Sequence, residues 1–290
     1  MQFQQGILPA DACAPTGQRW PTSVPILPVD HTVFEGMVAQ SAAMRACIAF
    51  AAQAASHTQP VWLLGEQGTG RHVLAQCMHM ASPRANAPFV RLRCRNQDGV
   101  SLQKEILGGH QIPSLLQRSM GGTLYIEDAE HLSPWEHALL ADMFSEKQHG
   151  RAQNPRLPRI ILSSGSDLRE RMTDWYWLQQ LFQITVPRPL LVPPLRQRRE
   201  DVPQLAERML AKLAAMSEEP APRGFTPRAL RWLNFQVWHG NLTELHGQLQ
   251  IAMNQYKADP NNFRLIDASH LTPAARPFTA RIFRLVAHPL

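Results

Sequence analysis

The run Val61-Trp-Leu-Leu-Gly-Glu-Gln-Gly-Thr-Gly-Arg-His72 restricts the fold more than any other part of the chain. Four apolar residues suit a buried strand. Gly65, Gly68 and Gly70 suit a tight loop, and Arg71 and His72 open a helical pattern. Strand, glycine loop and helix in that order are the layout of a phosphate-binding P-loop, G-x-x-x-x-G-K-[ST]. The glycines let backbone N–H groups turn inward, and the start of the helix adds its own. Two positions depart from the motif. Arg71 stands where a lysine holds the β/γ-phosphates, and His72 stands where a Ser/Thr hydroxyl meets Mg²⁺. Arg71 keeps the positive charge, but a planar guanidinium does not replace an ammonium point charge at a tight site. Gly65, Glu66, Gln67, Gly68, Thr69, Gly70, Arg71 and His72 are therefore the candidate residues for ATP or ADP, with weak or lost binding and no Mg²⁺ expected.

The surrounding pattern places this loop in an α/β fold. Apolar runs at Val61–Leu64, Phe89–Leu92, Thr123–Ile126 and Arg159–Leu162 suit buried parallel strands. Helical patterns at His72–Met80, Leu102–Leu107 and Pro134–Gln148 separate them, and Ser41 to Ala55 predicts an alanine-rich helix with Ser41 as N-cap. Alternation of this kind argues for a parallel sheet covered by helices. From Glu200 onward the strands stop. Val202–Met216, Thr226–Phe235 and Leu242–Tyr256 read as helices, with Thr226-Pro227 as a cap followed by proline in the first turn. The expected organisation is a Pro-rich leader at 1–30, an α/β P-loop subdomain at 31–198, an all-α lid at 199–273 and a tail at 274–290.

Composition narrows the class of function. The 290 residues carry a formal net charge of +6, spread along the chain rather than clustered. A solvated basic surface explains that balance better than a nucleic-acid patch. Cys13, Cys47, Cys77 and Cys94 form no C-x-x-C pair, which argues against a zinc site or a disulfide framework. Reduced, mostly buried thiols in a cytoplasmic protein are expected. No signal peptide or membrane span is expected. No G-x-S-x-G elbow is present, and His72 and His79 are too far apart for a metal pair at i, i+4. Among the aromatic residues, Phe235 and Trp238 are expected to pack in the core of the lid helices. Trp175-Tyr176-Trp177 reads either as an apolar contact surface or as buried packing.

Five segments, in order, carry a resemblance. Gly65-Glu-Gln-Gly-Thr-Gly70 compares with GESGTG. Ala81-Ser-Pro-Arg84 followed by Pro88-Phe-Val90 compares with SPR…PFV. Gly121-Gly-Thr-Leu-Tyr-Ile126 compares with GGTLFL, Pro193 to Val202 with PPLRERREDI, and Trp238 to Leu245 with WPGNVREL. From about Phe34 to Thr272 the chain resembles the central AAA+ domain of sigma-54-dependent transcription activators (bacterial enhancer-binding proteins). The resemblance implies a central parallel sheet of order 5-1-4-3-2. Ancestry does not certify activity, so each working part needs its own residue.

Several of those parts are altered. The family ends its Walker B strand in Asp-Glu, which hold the Mg²⁺ shell and activate water. Here the pair is Glu127-Asp128, so each acid is displaced by one methylene, and a shift near 1 Å costs about 10²-fold in rate. If hydrolysis survives, Asp128 is the candidate base. The sensor "ATN" compares with Ser163-Ser-Gly165, and the "NC" after PFV is Arg93-Cys94. The segment that supplies arginine fingers, Met172 to Pro187, contains no Arg or Lys. Such a finger is worth about 10³–10⁵ in rate. The lid arginine is Thr243. Between Glu105-Ile-Leu-Gly108 and Gly121, the stretch Gly109 to Met120 holds nothing like the GAFTGA loop that engages sigma-54. After the lid-like end at Leu265 to Pro273, the tail Ala274 to Leu290 is too short for a helix-turn-helix. It reads as a packed helix or as a basic amphipathic docking segment.

The expectation is a degenerate, non-hydrolysing member of the family, a pseudo-ATPase acting through protein–protein contacts in transcription control. A related activator or the transcription machinery is the expected partner. Neither sequence-specific DNA binding nor membrane attachment is expected, and a ring oligomer is doubtful. Two alternatives stay open: an active ATPase with altered Walker motifs, and a structural or adaptor subunit of another assembly.

Overall fold

The computed structural model describes residues 32–95, 99–109, 113–136, 138–139, 157–165, 189–217, 221–259 and 264–271. The segment Met172 to Pro187, Trp175–Trp177 and the tail therefore lie outside the described residues. The chain divides into two compact units, Met1–Pro193 and Pro194–Leu290.

The first unit is built on a five-stranded parallel sheet. Its strands are β1 (Val61–Leu64), β2 (Phe89–Arg93), β3 (Thr123–Glu127), β4 (Arg159–Ser164) and β5 (Leu190–Leu191). Their spatial order is β2-β3-β4-β1-β5, the order implied by the resemblance read from the other edge. Helices α1 (Thr32–Glu35), α2 (Ala42–Ala55), α3 (Arg71–Met80), α4 (Gly99–Leu107) and α5 (Leu115–Ser119) belong to this unit. Successive strand residues point to opposite faces, and the core splits accordingly. Val61, Leu63, Tyr125 and Ile161 pack with Met44, Ala51, Leu74 and Met78 of α2 and α3. Trp62, Leu64, Leu124, Ile126 and Leu162 pack with Leu102, Ile106 and Leu115 of α4 and α5. β1 reads as an unbroken apolar run because both of its faces are covered.

Local signals set the boundaries. Ser41 caps α2 by accepting from Met44 N–H at 3.2 Å. The helix expected from Pro134 begins there, with 134–136 and 138–139 helical. The stretch before β3 is not featureless. It holds α5, closed by a capping box in which Ser114 and Gln117 exchange side-chain and backbone hydrogen bonds, and Leu115 is fully buried. Arg159, at the start of β4, is fully buried and donates to the carbonyls of Ala54 and Ala55 at the end of α2. A cation there offsets the negative end of the helix dipole. Burial, with the charge of Arg84, still brings its pKa down to about 10.

The second unit is helical: α6 (Val202–Ala215), α7 (Pro227–Phe235) and α8 (Asn241–Ala258). Val202, Leu210, Leu233, Trp238, Leu245, Leu249 and Tyr256 form its core. Trp238 is buried as expected, and its indole N–H donates to Leu233 O at 2.9 Å. Phe235 is not: it is 76% exposed. The buried stripe of α7 runs through Ala229 and Leu233, and Phe235 follows Leu233 by two positions on the last turn, which turns it outward. Thr226 caps α7 by accepting from Ala229 N–H at 3.1 Å and donates to Asp267 at 2.7 Å. Thr226→Ala is expected to cost this unit about 1–2 kcal/mol, seen as a lower calorimetric midpoint. No helix among the described residues is long and apolar enough to cross a membrane.

Candidate functional site

In a parallel sheet the ligand crevice lies outside the carboxyl ends of the strands. Three such ends meet here: Gly65 after β1, Asp128 after β3 and Gly165 after β4. The loop after β1 has the backbone its glycines were expected to give. Gly68 has φ 77° and Gly70 φ 98°, a left-handed region that favours glycine. Gly70 is the N-cap of α3 and lends it no side-chain cap. Gly65 is fixed for another reason: a Cβ there would stand 2.9 Å from Val192 O. Its N–H donates to Ser164 O at 3.1 Å, which ties the loop to β4. Thr69 folds back on Glu66, its hydroxyl donating to the Glu66 carbonyl at 2.7 Å. From Gly65 to Arg71 the chain passes from the end of β1 through two left-handed glycines into α3.

The side chains around it are arranged differently from a metal site. Arg71, the first residue of α3, does not extend into solvent. Its Nη2 donates to Asp128 Oδ1 at 2.7 Å, and the two side chains are 7% and 13% exposed. Its Nη1 is buried and has no hydrogen-bond partner. An unpaired buried donor costs about 1–3 kcal/mol, more when charged. Asp128 sits at φ 55°, left-handed without being glycine, and its N–H lies 3.4 Å from Ser163 Oγ. Ser163 in turn hydrogen-bonds the Tyr125 hydroxyl at 2.8 Å.

Glu127 is engaged separately. Arg91 donates to its Oε2 from Nε at 2.7 Å and also from Nη2, and Arg93 lies 3.6 Å from the same oxygen. The register explains this. Phe89, Arg91 and Arg93 share one face of β2, beside Thr123, Tyr125 and Glu127 of β3. The alternation of arginine along Phe-Val-Arg-Leu-Arg was visible in the sequence, but its partner was not. Glu130, also unforeseen, accepts from Gly165 N–H at 2.9 Å and buries its other oxygen without a partner. Arg95 reaches Gln67 of the loop and His131.

His72 points its ring at the sheet, stacked on Tyr125 with centroids 5.5 Å apart and tilted against Phe89. Burial first, and then the charge of Arg91, pushes it below the ordinary histidine pKa, so it is a neutral imidazole at neutral pH. His79 packs on the same Phe89 and hydrogen-bonds Thr123. Cys47, Cys77 and Cys94 are buried free thiols. Thr243 lies in the first turn of α8.

These residues suit one half of a Mg²⁺–nucleotide and not the other. The loop has the left-handed turns of its glycines, and Arg71 Nη1 is buried without a hydrogen-bond partner. Mg²⁺ is held through one or two carboxylates beside substrate phosphates and waters. Here the carboxylate of Asp128 already carries a guanidinium, Glu127 carries another, and His72 supplies no hydroxyl. Among the described residues no group of three or more His, Cys, Asp or Glu is placed to hold a metal.

Residues 37–185, about half of the chain, match the family described as the Sigma-54 interaction domain. The chain belongs to that family. Residues 196–281 of this sigma-54 interaction domain protein match a second family, the AAA+ ATPase lid domain. The protein is 30% identical over 231 residues to the Nif-specific regulatory protein of Azotobacter vinelandii, covering 75% of this chain and 44% of the relative. It is 31% identical over 258 residues to the response regulator protein PilR of Pseudomonas aeruginosa, covering 83% and 57%. The chain thus spans about half the length of the curated relatives it matches. In fold it is similar to NtrX from Brucella abortus, solved in complex with ATP, with TM-score 0.72, 24% identity and coverage of 82% of this chain and 56% of that one.

Proposed function

We propose that this sigma-54-activator-like AAA+ protein is a regulatory protein of transcription control that does not turn over ATP and acts through protein contacts. The observation that carries the reading is the engagement of both acids at the end of β3 by the chain's own arginines, Asp128 by Arg71 and Glu127 by Arg91. Hydrolysis of a phosphoanhydride needs an oriented water, a positioned base and neutralisation of charge on the transferred group. In this chain the carboxylates are spent on internal ion pairs, and Arg71 is tied to one of them. The similarity to Nif-specific regulatory protein and PilR supports a role in regulation, and the fold shared with ATP-bound NtrX supports a retained nucleotide cradle. The partner in this reading is a related activator, a sigma factor or RNA polymerase.

Phosphate release from Mg-ATP tests it. The protein is expected to stay at background at every concentration tried, with Glu127→Gln changing nothing. Concentration-dependent turnover that a folded Glu127→Gln protein loses would sink the reading. Affinity capture from native cells addresses the partner: recovery of an activator, sigma factor or polymerase is expected, and recovery of none of these counts against transcription.

A further inference from the structure

The arrangement at Arg71 points beyond the loss of turnover, on which it rests, to the form in which a nucleotide is held. We infer that the crevice takes a nucleoside di- or triphosphate as the metal-free anion, with the Arg71 guanidinium in the place of a divalent cation. Three observations converge. The loop from Gly65 to Arg71 keeps the left-handed turns at Gly68 and Gly70 that a phosphate cradle needs. The Arg71 side chain, at the start of the helix that follows the loop, is 7% exposed and donates from Nη2 to Asp128 at 2.7 Å, so a positive charge stands on the carboxylate at the end of β3. The Nη1 of the same group is buried and has no partner.

A guanidinium is a fork, able to bond a carboxylate with one nitrogen and a phosphate oxygen with another. Asp128 fixes the first prong and leaves the second. A lysine carries its three donors on one nitrogen, so a carboxylate and a phosphate would both have to approach that single point rather than opposite prongs of a planar fork. Mg²⁺ also demands near-ideal octahedral oxygen ligation at short range and gives up its waters reluctantly. The cation at Asp128 repels it, Glu127 is held by Arg91, and the imidazole of His72 is turned toward Tyr125, its ring inclined by 30° at a centroid distance of 5.5 Å. The metal-free polyphosphate suits the remaining donors better than its Mg²⁺ complex, because its oxygens are not already taken.

Calorimetric titration of the full chain with ADP and with ATP, in EDTA and in MgCl₂, tests the inference. Affinity in EDTA is expected to be within about twofold of that in Mg²⁺, or tighter. Arg71→Lys is expected to weaken ADP binding by about fivefold or more without introducing a metal requirement. A tenfold or larger tightening of wild-type binding by Mg²⁺ would overturn it, as would the absence of binding in both buffers or an Arg71→Lys protein that binds like wild type. The metal comparison needs no variant, so a substitution that fails to fold leaves the test intact. Phosphate release measured on the same protein separates the two readings. Turnover with metal-independent ADP binding removes the proposed function alone, and metal-dependent binding without turnover removes this inference alone.

Discussion

Asp128→Asn is expected to destabilise the α/β unit by about 1–3 kcal/mol, the cost of leaving a charged donor of a part-buried pair without its counter-ion. The substitution isolates charge from shape. Asparagine is nearly isosteric with aspartate and tolerates the left-handed backbone that Asp128 adopts at φ 55°. What changes is that the Arg71 guanidinium, 7% exposed, loses its counter-ion. Urea unfolding gives the measurement. Adding Arg71→Met should restore most of the loss, since replacing a buried ion pair by apolar groups is often neutral. A coupling energy near zero in that cycle would mean that the pair does not hold the crevice together.

Gly122→Ala is expected to cost more than about 3 kcal/mol, beyond the ordinary range for an added methyl group. A Cβ at Gly122 would stand 1.9 Å from Pro88 O, with Pro88 C and N inside 3 Å. These are backbone atoms, so no rotamer change relieves the clash. The carbonyl of Pro88 also accepts from Thr123 N–H at 2.8 Å, and that of Gly122 accepts from Arg159 N–H at 2.9 Å. Moving either strand to make room breaks ladder bonds at the entry to β3. Gly109→Ala is the control, with nothing within 4 Å of its Cβ, and should change stability by no more than about 0.5 kcal/mol. A soluble, cooperative Gly122→Ala protein with an unchanged midpoint would refute the packing argument.

The scaffold was readable because its signals are local. β1 begins and ends where its apolar run does, and Ser41 and Thr226 cap the helices they precede. β5, only two residues long, has no period to detect, and only the family resemblance implied a fifth strand. The crevice was less readable because its decisive contacts are not local. Arg71 and Asp128 are 57 positions apart, and Arg91 and Glu127 are 36 apart. In the sequence Arg71 looked like a poor lysine and Glu127-Asp128 like acids of the wrong length. The fold shows them paired with arginines, a relation that only strand register and helix placement create. Phe235 failed for a related reason: hydrophobicity alone does not say which side of α7 a residue takes.

Arg91 has a consequence for any attempt to rebuild a Mg²⁺ site in this chain. Placing lysine at 71 and a hydroxyl at 72 would leave Glu127 clasped by the neighbouring strand, because Arg91 reaches it across the β2–β3 register. Replacing Arg91 first would strand Glu127 beside Arg93, a partner more than half exposed and farther away. Residues sharing partners do not change independently, so freeing Glu127 takes coordinated changes on β2 and at the end of β3 rather than one substitution.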